Sequence, residues 1–312
     1  MAEYSPMMQH YLDTKSKYKD CILFYRLGDF YEMFFEDAKL VSQELDLVLT
    51  GRSAGVEEKV PMCGIPFHAA NSYIQRLVKK GYKVAICEQL EDPSSAKGLV
   101  DRGIIKIITP GTYMDATMDA KSTNYMASCD VSSFEITVIY CELSTGELKY
   151  QTLQRSLVAL QKALLEQNVS ELVCPMTMDK KWMAALEEMD TMLISKHKKA
   201  NIDSEDLPLL NGIESESLKE AFALLMAYLK DTQKQRIDHF LPIESMDKDK
   251  VLVMDYETKN HLELVSSQSS NAKAESLWSF MDKCQSAMGS RMLKRWIEYP
   301  LIDAEKISKR QA

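Results

Sequence analysis

Apolar positions along the chain keep three different rhythms. Near the start, Met8, Tyr11 and Leu12 form a short stripe behind Ser5-Pro6, a capping hydroxyl followed by proline at a first helical position, which predicts a helix. The continuous apolar run Cys21–Leu27 has the length of a strand and is broken at Gly28-Asp29. Phe34, Ala38, Val41 and Leu45 then recur at helical spacing, predicting a helix over about 31–45. Strands are predicted over 46–50, 59–63, 84–89 and 104–109, and a helix over 71–80 that Gly81 stops in a left-handed terminus. The first region is thus an α/β unit of roughly 110 residues ending near Pro110-Gly111.

A polar bridge over 114–124 opens the second rhythm. Residues 126–131, 135–143 and 147–153 alternate as an antiparallel meander, with Ser144-Thr145-Gly146 as a turn. Helix Leu157–Glu166, a strand over 171–174, a helix over 180–189, a strand over 192–195 and an apolar helix over 217–230 follow. This order predicts a mixed sheet covered by helices. From about Met246 the pattern is helical: 255–264, 275–284 and Ala287–Glu298, the first two separated by a polar linker over 266–274. No closing element is evident after Pro300. The expected fold class is α/β (α+β) and multidomain, with domains over 1–115, 116–245 and 246–312. The first is a small mixed-sheet domain and the last an incomplete all-helical segment.

Composition narrows the function. Of 312 residues 46% are hydrophobic and 27% charged, values of a folded protein. A formal charge of −8 gives no global field toward nucleic acid or an anionic membrane. Residues 1–115 hold 14 Lys and Arg against 16 Asp and Glu, closer to neutral and compatible with a one-sided basic patch. Seven cysteines without a CxxC pair and five scattered histidines argue against a zinc module or a disulfide framework and fit a reducing cytoplasm. No apolar stretch is long enough to span a bilayer, and the N-terminus lacks the basic start and apolar core of a signal peptide. GxxxxGK[ST], GxGxxG, HExxH and GxSxG are all absent. No catalytic residues and no metal ligands are assigned.

The informative stretch is LGDFYEMFF, 27–35. Phe30 and Glu32 are two apart, so an extended chain places them on one face and Tyr31 on the other. An exposed aromatic can stack on any base or wedge between base steps, and a carboxylate beside it can serve a base edge only by hydrogen bonding, since it repels phosphate. Core aromatics followed by a carboxylate in a helix's first turn fit the same letters. Arg52, Lys59, Arg76, Lys79 and Lys80 are candidate backbone-phosphate contacts, equally readable as a solvated face. The basic face Arg291, Lys294 and Arg295 reads first as solvated, opposite Met292, Leu293, Trp296 and Ile297. A rival chemistry lies in the second region. Asp130 at the end of a strand entering a meander resembles the placement in ribonuclease-H-like nucleases, where Glu135, Glu147 and Glu171 would have to join it around metal ions. A protein-interaction module without DNA binding is the third possibility.

FYRLGDFYEMFFEDA (24–38) resembles the mismatch-recognition domain of the MutS family of bacterial DNA mismatch repair proteins. SPMMQHYL (5–12), VPMCGIPFHA (60–69), VAICEQLEDP (84–93) and IITPGT (107–112) follow the family's order, and MGSRMLKRWIEYPL (288–301) resembles its core-domain helix. The resemblance implies that Phe30 stacks on a mispaired base and Glu32 accepts a hydrogen bond from it. It implies that the Pro61–His68 loop approaches DNA, that the second domain is a ribonuclease-H-like connector without the catalytic set, and that a MutL-type repair partner docks there. The implied partner is double-stranded DNA with mismatches or small loops, and the implied location is the bacterial cytoplasm, at the nucleoid. The family continues into a C-terminal ATPase that binds ATP and Mg²⁺ and dimerises. This chain stops in the core domain, so it is expected to hold no cofactor, to lack ATPase activity and to bind mismatches weakly as a monomer.

Overall fold

Cys21–Leu27 carries apolar side chains on successive positions, which suits a central strand covered on both faces. In the computed structural model of the protein, which describes residues 4–91, 100–114, 123–246, 251–267 and 276–312, this run is strand β1 of a six-stranded sheet. Most of the polar bridge expected over 114–124 and of the linker over 266–274 lies outside the described residues. So do the last two positions of the 84–93 segment and the first of the helix expected over 275–284. The chain divides into two compact units, Met1–Tyr113 with Thr191–Leu193 and Met226–Asp238, and Met114–Asp190 with Ile194–Leu225 and His239–Ala312.

The first unit adds β2 (Phe30–Phe34), β3 (Thr50–Arg52), β4 (Val60–Pro66), β5 (Lys83–Gln89) and β6 (Arg102–Ile108), in the order β3-β4-β2-β1-β5-β6. β1 and β5 run parallel and the remaining pairs antiparallel. Helix α1 (Pro6–Lys17) covers one face, where Met8 and Tyr11 pack with Cys21, Leu23, Tyr25, Phe34, Ala85 and Cys87. Helices α2 (Phe35–Leu45) and α3 (Ala70–Lys79) serve the other; there the Cys63 thiol meets the Ala38 carbonyl at 3.5 Å. The buried Asp37 carboxylate ties three elements together. It accepts from Lys15 Nζ at 2.9 Å, the Leu23 amide at 3.0 Å and the Tyr11 hydroxyl at 3.4 Å.

The helix expected over 31–45 begins four residues later. Residues 30–34 pair on both sides, with β1 and with β4, and the two ladders outweigh the helical spacing that Phe34 shares with Ala38, Val41 and Leu45. The strand expected over 46–50 is also displaced. Asp46 takes a left-handed conformation (φ 56°) that ends α2, and pairing starts only at Thr50.

The second unit is built on β7 (Tyr125–Val131), β8 (Glu135–Glu142) and β9 (Glu147–Gln154), the expected antiparallel meander, with β10 (Val169–Pro175) parallel to β7. The whole sheet reads β11-β10-β7-β8-β9-β12, where β11 is Leu193–His197 and β12 is Glu244–Ser245. Helices α4 (Leu157–Glu166), α5 (Lys180–Glu187) and α6 (Glu216–Gln233) match the apolar spacing read from the sequence. The helices α7 (Tyr256–His261), α8 (Leu277–Met281) and α9 (Ala287–Glu298) join this unit. Tyr299, just past α9, lies under the Lys259 ammonium at 3.9 Å and receives a hydrogen bond from Gln167 at 2.6 Å. The tail, read from sequence as having no closing element, forms α10 (Ala304–Gln311), started by the Asp303 side chain accepting from the Lys306 amide at 2.9 Å. Among the described residues, no helix is long and apolar enough to cross a membrane.

Phe30 is 47% exposed and Tyr31 only 7%. Replacing Phe30 with alanine is therefore expected to change the unfolding free energy by less than about 0.5 kcal/mol, whereas Tyr31→Ala should cost about 3–5 kcal/mol, both read from urea unfolding. Burial pushes the Tyr25 phenol up to about 12 and raises Tyr11 and Tyr31 as well. Folded values above the unfolded one mean that this contribution to stability is complete below about pH 10 and is lost as pH rises beyond it. On alkaline titration, the phenolate absorbance of these three rings should appear together with the loss of circular dichroism. Smooth ionisation of all tyrosines near pH 10 with the fold intact would contradict it.

Candidate nucleic-acid interface

The wedge candidates sit at the tip of a β-hairpin. β1 and β2 are joined by the two residues Gly28-Asp29, with Gly28 at φ +58°, a conformation that costs glycine little. Leu27 pairs with Phe30, Arg26 with Tyr31 and Tyr25 with Glu32. Side chains alternate between faces, so Phe30, Glu32 and Phe34 share the face that α1 covers. Phe34 is buried there against α1, while Phe30 stands at the open end of the strand with its ring half in solvent.

Tyr31 points the opposite way. Its hydroxyl donates to the Glu88 carboxylate, and burial followed by that hydrogen bond raises its pKa. Of the three residues singled out from sequence, Phe30 and Glu32 share one face, with the Phe30 ring half exposed and the Glu32 side chain mostly covered, and Tyr31 is part of the hairpin's support.

Glu32 is held by Arg52, whose guanidinium pairs with its carboxylate and lies 6.0 Å from the Phe34 ring. Gly64 stands opposite Glu32 on β4, where a methyl would lie in ordinary contact, 3.5 Å from Glu32 Cγ. Of the five basic candidates, Arg52 shares the face of Phe30 and Glu32. The β4 residue beside Phe30 is Pro66; Lys59 precedes the opposite end of that strand, about 20 Å away at the usual rise per residue. Arg76, Lys79 and Lys80 lie at the far end too, just before β5, whose Lys83 pairs with Cys21 at the start of β1. Lys80 is engaged there with Glu44 at 2.6 Å, and Arg76 reaches the Leu45 carbonyl at 3.5 Å.

The segment 61–68, expected as a loop near DNA, is mostly strand β4 followed by a short 3₁₀ turn, because residues 60–66 pair with β2 and β3; the sequence did not single out Arg26 or Arg102 beside it. Phe67, in a short 3₁₀ turn after β4, is 42% exposed, and its amide donates to the Asp29 carbonyl at 2.9 Å. The Arg26 guanidinium lies 3.8 Å over the Phe67 ring. Arg102, on the Phe30 face, donates to the carbonyls of Arg26 at 3.0 Å and Val100 at 2.8 Å. One signal was available: an arginine two positions before a Gly-Asp turn, inside an otherwise apolar strand.

The four carboxylates of the rival nuclease reading are not gathered. Asp130 and Glu135 lie at one end of the second sheet and Glu147 and Glu171 at the other. Asp130 accepts from Lys199 Nζ at 3.1 Å and from the Ser217 hydroxyl at 3.0 Å, and Glu171 is fully buried with the Ser195 hydroxyl donating to it. Among the described residues, no group of three or more His, Cys, Asp or Glu is arranged to hold a metal ion. On the basic face of α9, Arg295 reaches Glu147 of the same unit at 3.3 Å, and Lys294 lies 5.3 Å from the Trp278 ring.

Comparison with known proteins identifies the family. The model of MutS domain I matches residues 5–117, and that of MutS domain III matches 257–312. DNA mismatch repair protein MutS of Listeria welshimeri is 44% identical over the whole chain, that of Bacillus licheniformis 43% over the whole chain, and that of Clostridium tetani 42% over 98% of it. The chain covers 36% of the length of each of these relatives. Two domain matches in order and identity above 40% from end to end lead to one conclusion: the chain belongs to the MutS family and corresponds to the N-terminal part of its members.

Proposed function

We propose that this chain senses mispaired or unpaired bases in double-stranded DNA within mismatch repair, by pressing the Phe30 ring into the base stack while Glu32 accepts a hydrogen bond from the disturbed base. The observation that carries this reading is the half-exposed Phe30 ring at the end of a paired strand, with Glu32 on the same face and Tyr31 locked on the other. The relatives' name, DNA mismatch repair protein MutS, supplies the biological setting.

The physics of discrimination lies in the DNA. Unstacking or kinking a step costs a few kcal/mol in a matched duplex and least at a mismatch. One stacked aromatic contributes about 1–3 kcal/mol, enough to offset the smaller cost and not the larger. Glu32 adds a base-edge acceptor that is useful only once the base has moved. Arg52 is the basic candidate nearest the wedge, and it would steady the duplex by moving from the Glu32 carboxylate to a phosphate as Glu32 turns to the base. The wedge thus reads weakness of stacking and needs no readout of base sequence.

The second unit is proposed as a ribonuclease-H-like connector that serves as a surface for a MutL-type partner. Its three antiparallel strands followed by a parallel β10 support that fold reading, and the scattered carboxylates favour a contact surface over a nuclease. We assign residues 1–115 to mismatch recognition, 116–245 to the connector and 246–312 to the start of a helical core.

Fluorescence anisotropy tests the wedge with labelled duplexes that are matched, carry one mismatch, or carry one unpaired base. The wild-type protein should prefer the imperfect duplexes, and Phe30→Ala should lose that preference by about tenfold, the worth of one stacked base. Affinity for all three should fall steeply with salt. An unchanged preference in Phe30→Ala, or scission of the duplex with Mg²⁺, would refute the reading.

A further inference from the structure

We infer that Arg26 is a positioning residue for discrimination: it locks the turn that carries Phe30 and so fixes the direction in which the ring projects. The inference rests on the wedge role proposed above. It is carried by the convergence of contacts on one side chain. The Arg26 Nε donates to the Gly28 carbonyl inside the turn, its guanidinium lies 3.5 Å from the Glu88 carboxylate on the neighbouring β5, and it covers the Phe67 ring at 3.8 Å. Glu88 in turn accepts from the Tyr31 hydroxyl. The Arg26 carbonyl is itself held by Arg102 at 3.0 Å. The turn is thereby fixed from both sheet neighbours of the hairpin, β5 through Glu88 and the end of β4 through Phe67.

The residue type suits the task. A guanidinium is planar and forked, so it can stack on a ring and donate in its own plane at once, which a lysine ammonium cannot. The Arg26 side chain is engaged with Gly28, Glu88 and Phe67 at once, which suits an internal brace. Without that brace the turn would keep the Phe67 amide bond to the Asp29 carbonyl but lose the side-chain contacts that hold Gly28. Ordering it would then cost free energy in the complex that uses the ring, the mismatched one, and not in the matched complex held by phosphate contacts. The signature of Arg26 is therefore a loss of selectivity without a loss of general affinity.

Anisotropy with matched and mismatched duplexes on wild type, Arg26→Met, Arg26→Lys, Glu88→Gln, Phe30→Ala and the double variant Phe30→Ala/Arg26→Met tests this. The folded state of each is checked by thermal melting. Arg26→Met should lower the mismatch-to-matched affinity ratio by about tenfold while changing matched affinity by less than about twofold, in the range of couplings within one side-chain network. Arg26→Lys should not restore it. Glu88→Gln, which keeps shape and fold, should shift the ratio the same way by a smaller factor. A fluorescent adenine analogue beside the mismatch should lose its unstacking signal in Arg26→Met. The double variant should be no less selective than Phe30→Ala alone. The inference is overturned if matched and mismatched affinities fall together, if Arg26→Met or Glu88→Gln leaves the ratio unchanged, or if the double variant loses more than Phe30→Ala. If Phe30→Ala itself keeps full preference, the wedge reading has failed, and an Arg26 effect then has a different origin.

Discussion

The register of one short hairpin governs what this protein can present to a ligand. Leu27 faces Phe30 across a two-residue turn, and from that pairing every side chain of β2 is assigned to a face. A slip of one residue would bury Phe30 and Glu32 and turn Tyr31 outward, because the side-chain period of a strand is two. The register is protected on both flanks, by β1 on one side and β4 on the other. Tyr31 secures it again through Glu88 on β5. The exposed ring is therefore the visible end of a set of constraints that run through four strands.

The same constraints explain what was legible in the sequence. The run Cys21–Leu27 was read with its bounds intact, because an apolar segment closed by Gly-Asp has few other solutions. The helix after it was placed too early. Phe34, Ala38, Val41 and Leu45 do lie one helical turn or so apart, but the spacing says nothing about where the first turn starts, and FYEMF is held extended by partners from residues 21–27 and 60–66. The opposition of Phe30 and Glu32 to Tyr31 was legible because it needs only an extended backbone. Arg26 was not, since its partners Glu88 and Phe67 come from other strands and no local pattern joins them. The basic candidates show the same limit: charge can be counted along a chain, but whether Arg52 and Lys80 share a surface is decided by strand order.

Electrostatics near the tip follow from burial. The chain carries a formal charge of −8, yet the hairpin face holds the guanidiniums of Arg52 and Arg102 beside Glu32 and the buried Tyr25. Arg102 donates to two backbone carbonyls and Arg52 pairs with the Glu32 carboxylate, so both guanidiniums have partners within the first unit. Two guanidiniums thus stand on the face that carries Phe30, in a chain that is acidic as a whole.

Arg52 gives the arrangement one further property. The strand opposite Glu32 offers bare backbone at the level of Gly64, and the carboxylate is held by Arg52 from β3, beyond that strand. A methyl at that position would meet Glu32 Cγ at ordinary contact distance, so the glycine itself does not restrict the acid. The aim of the acid is in this sense set from β3, two strands away, by the guanidinium that Arg52 extends across β4.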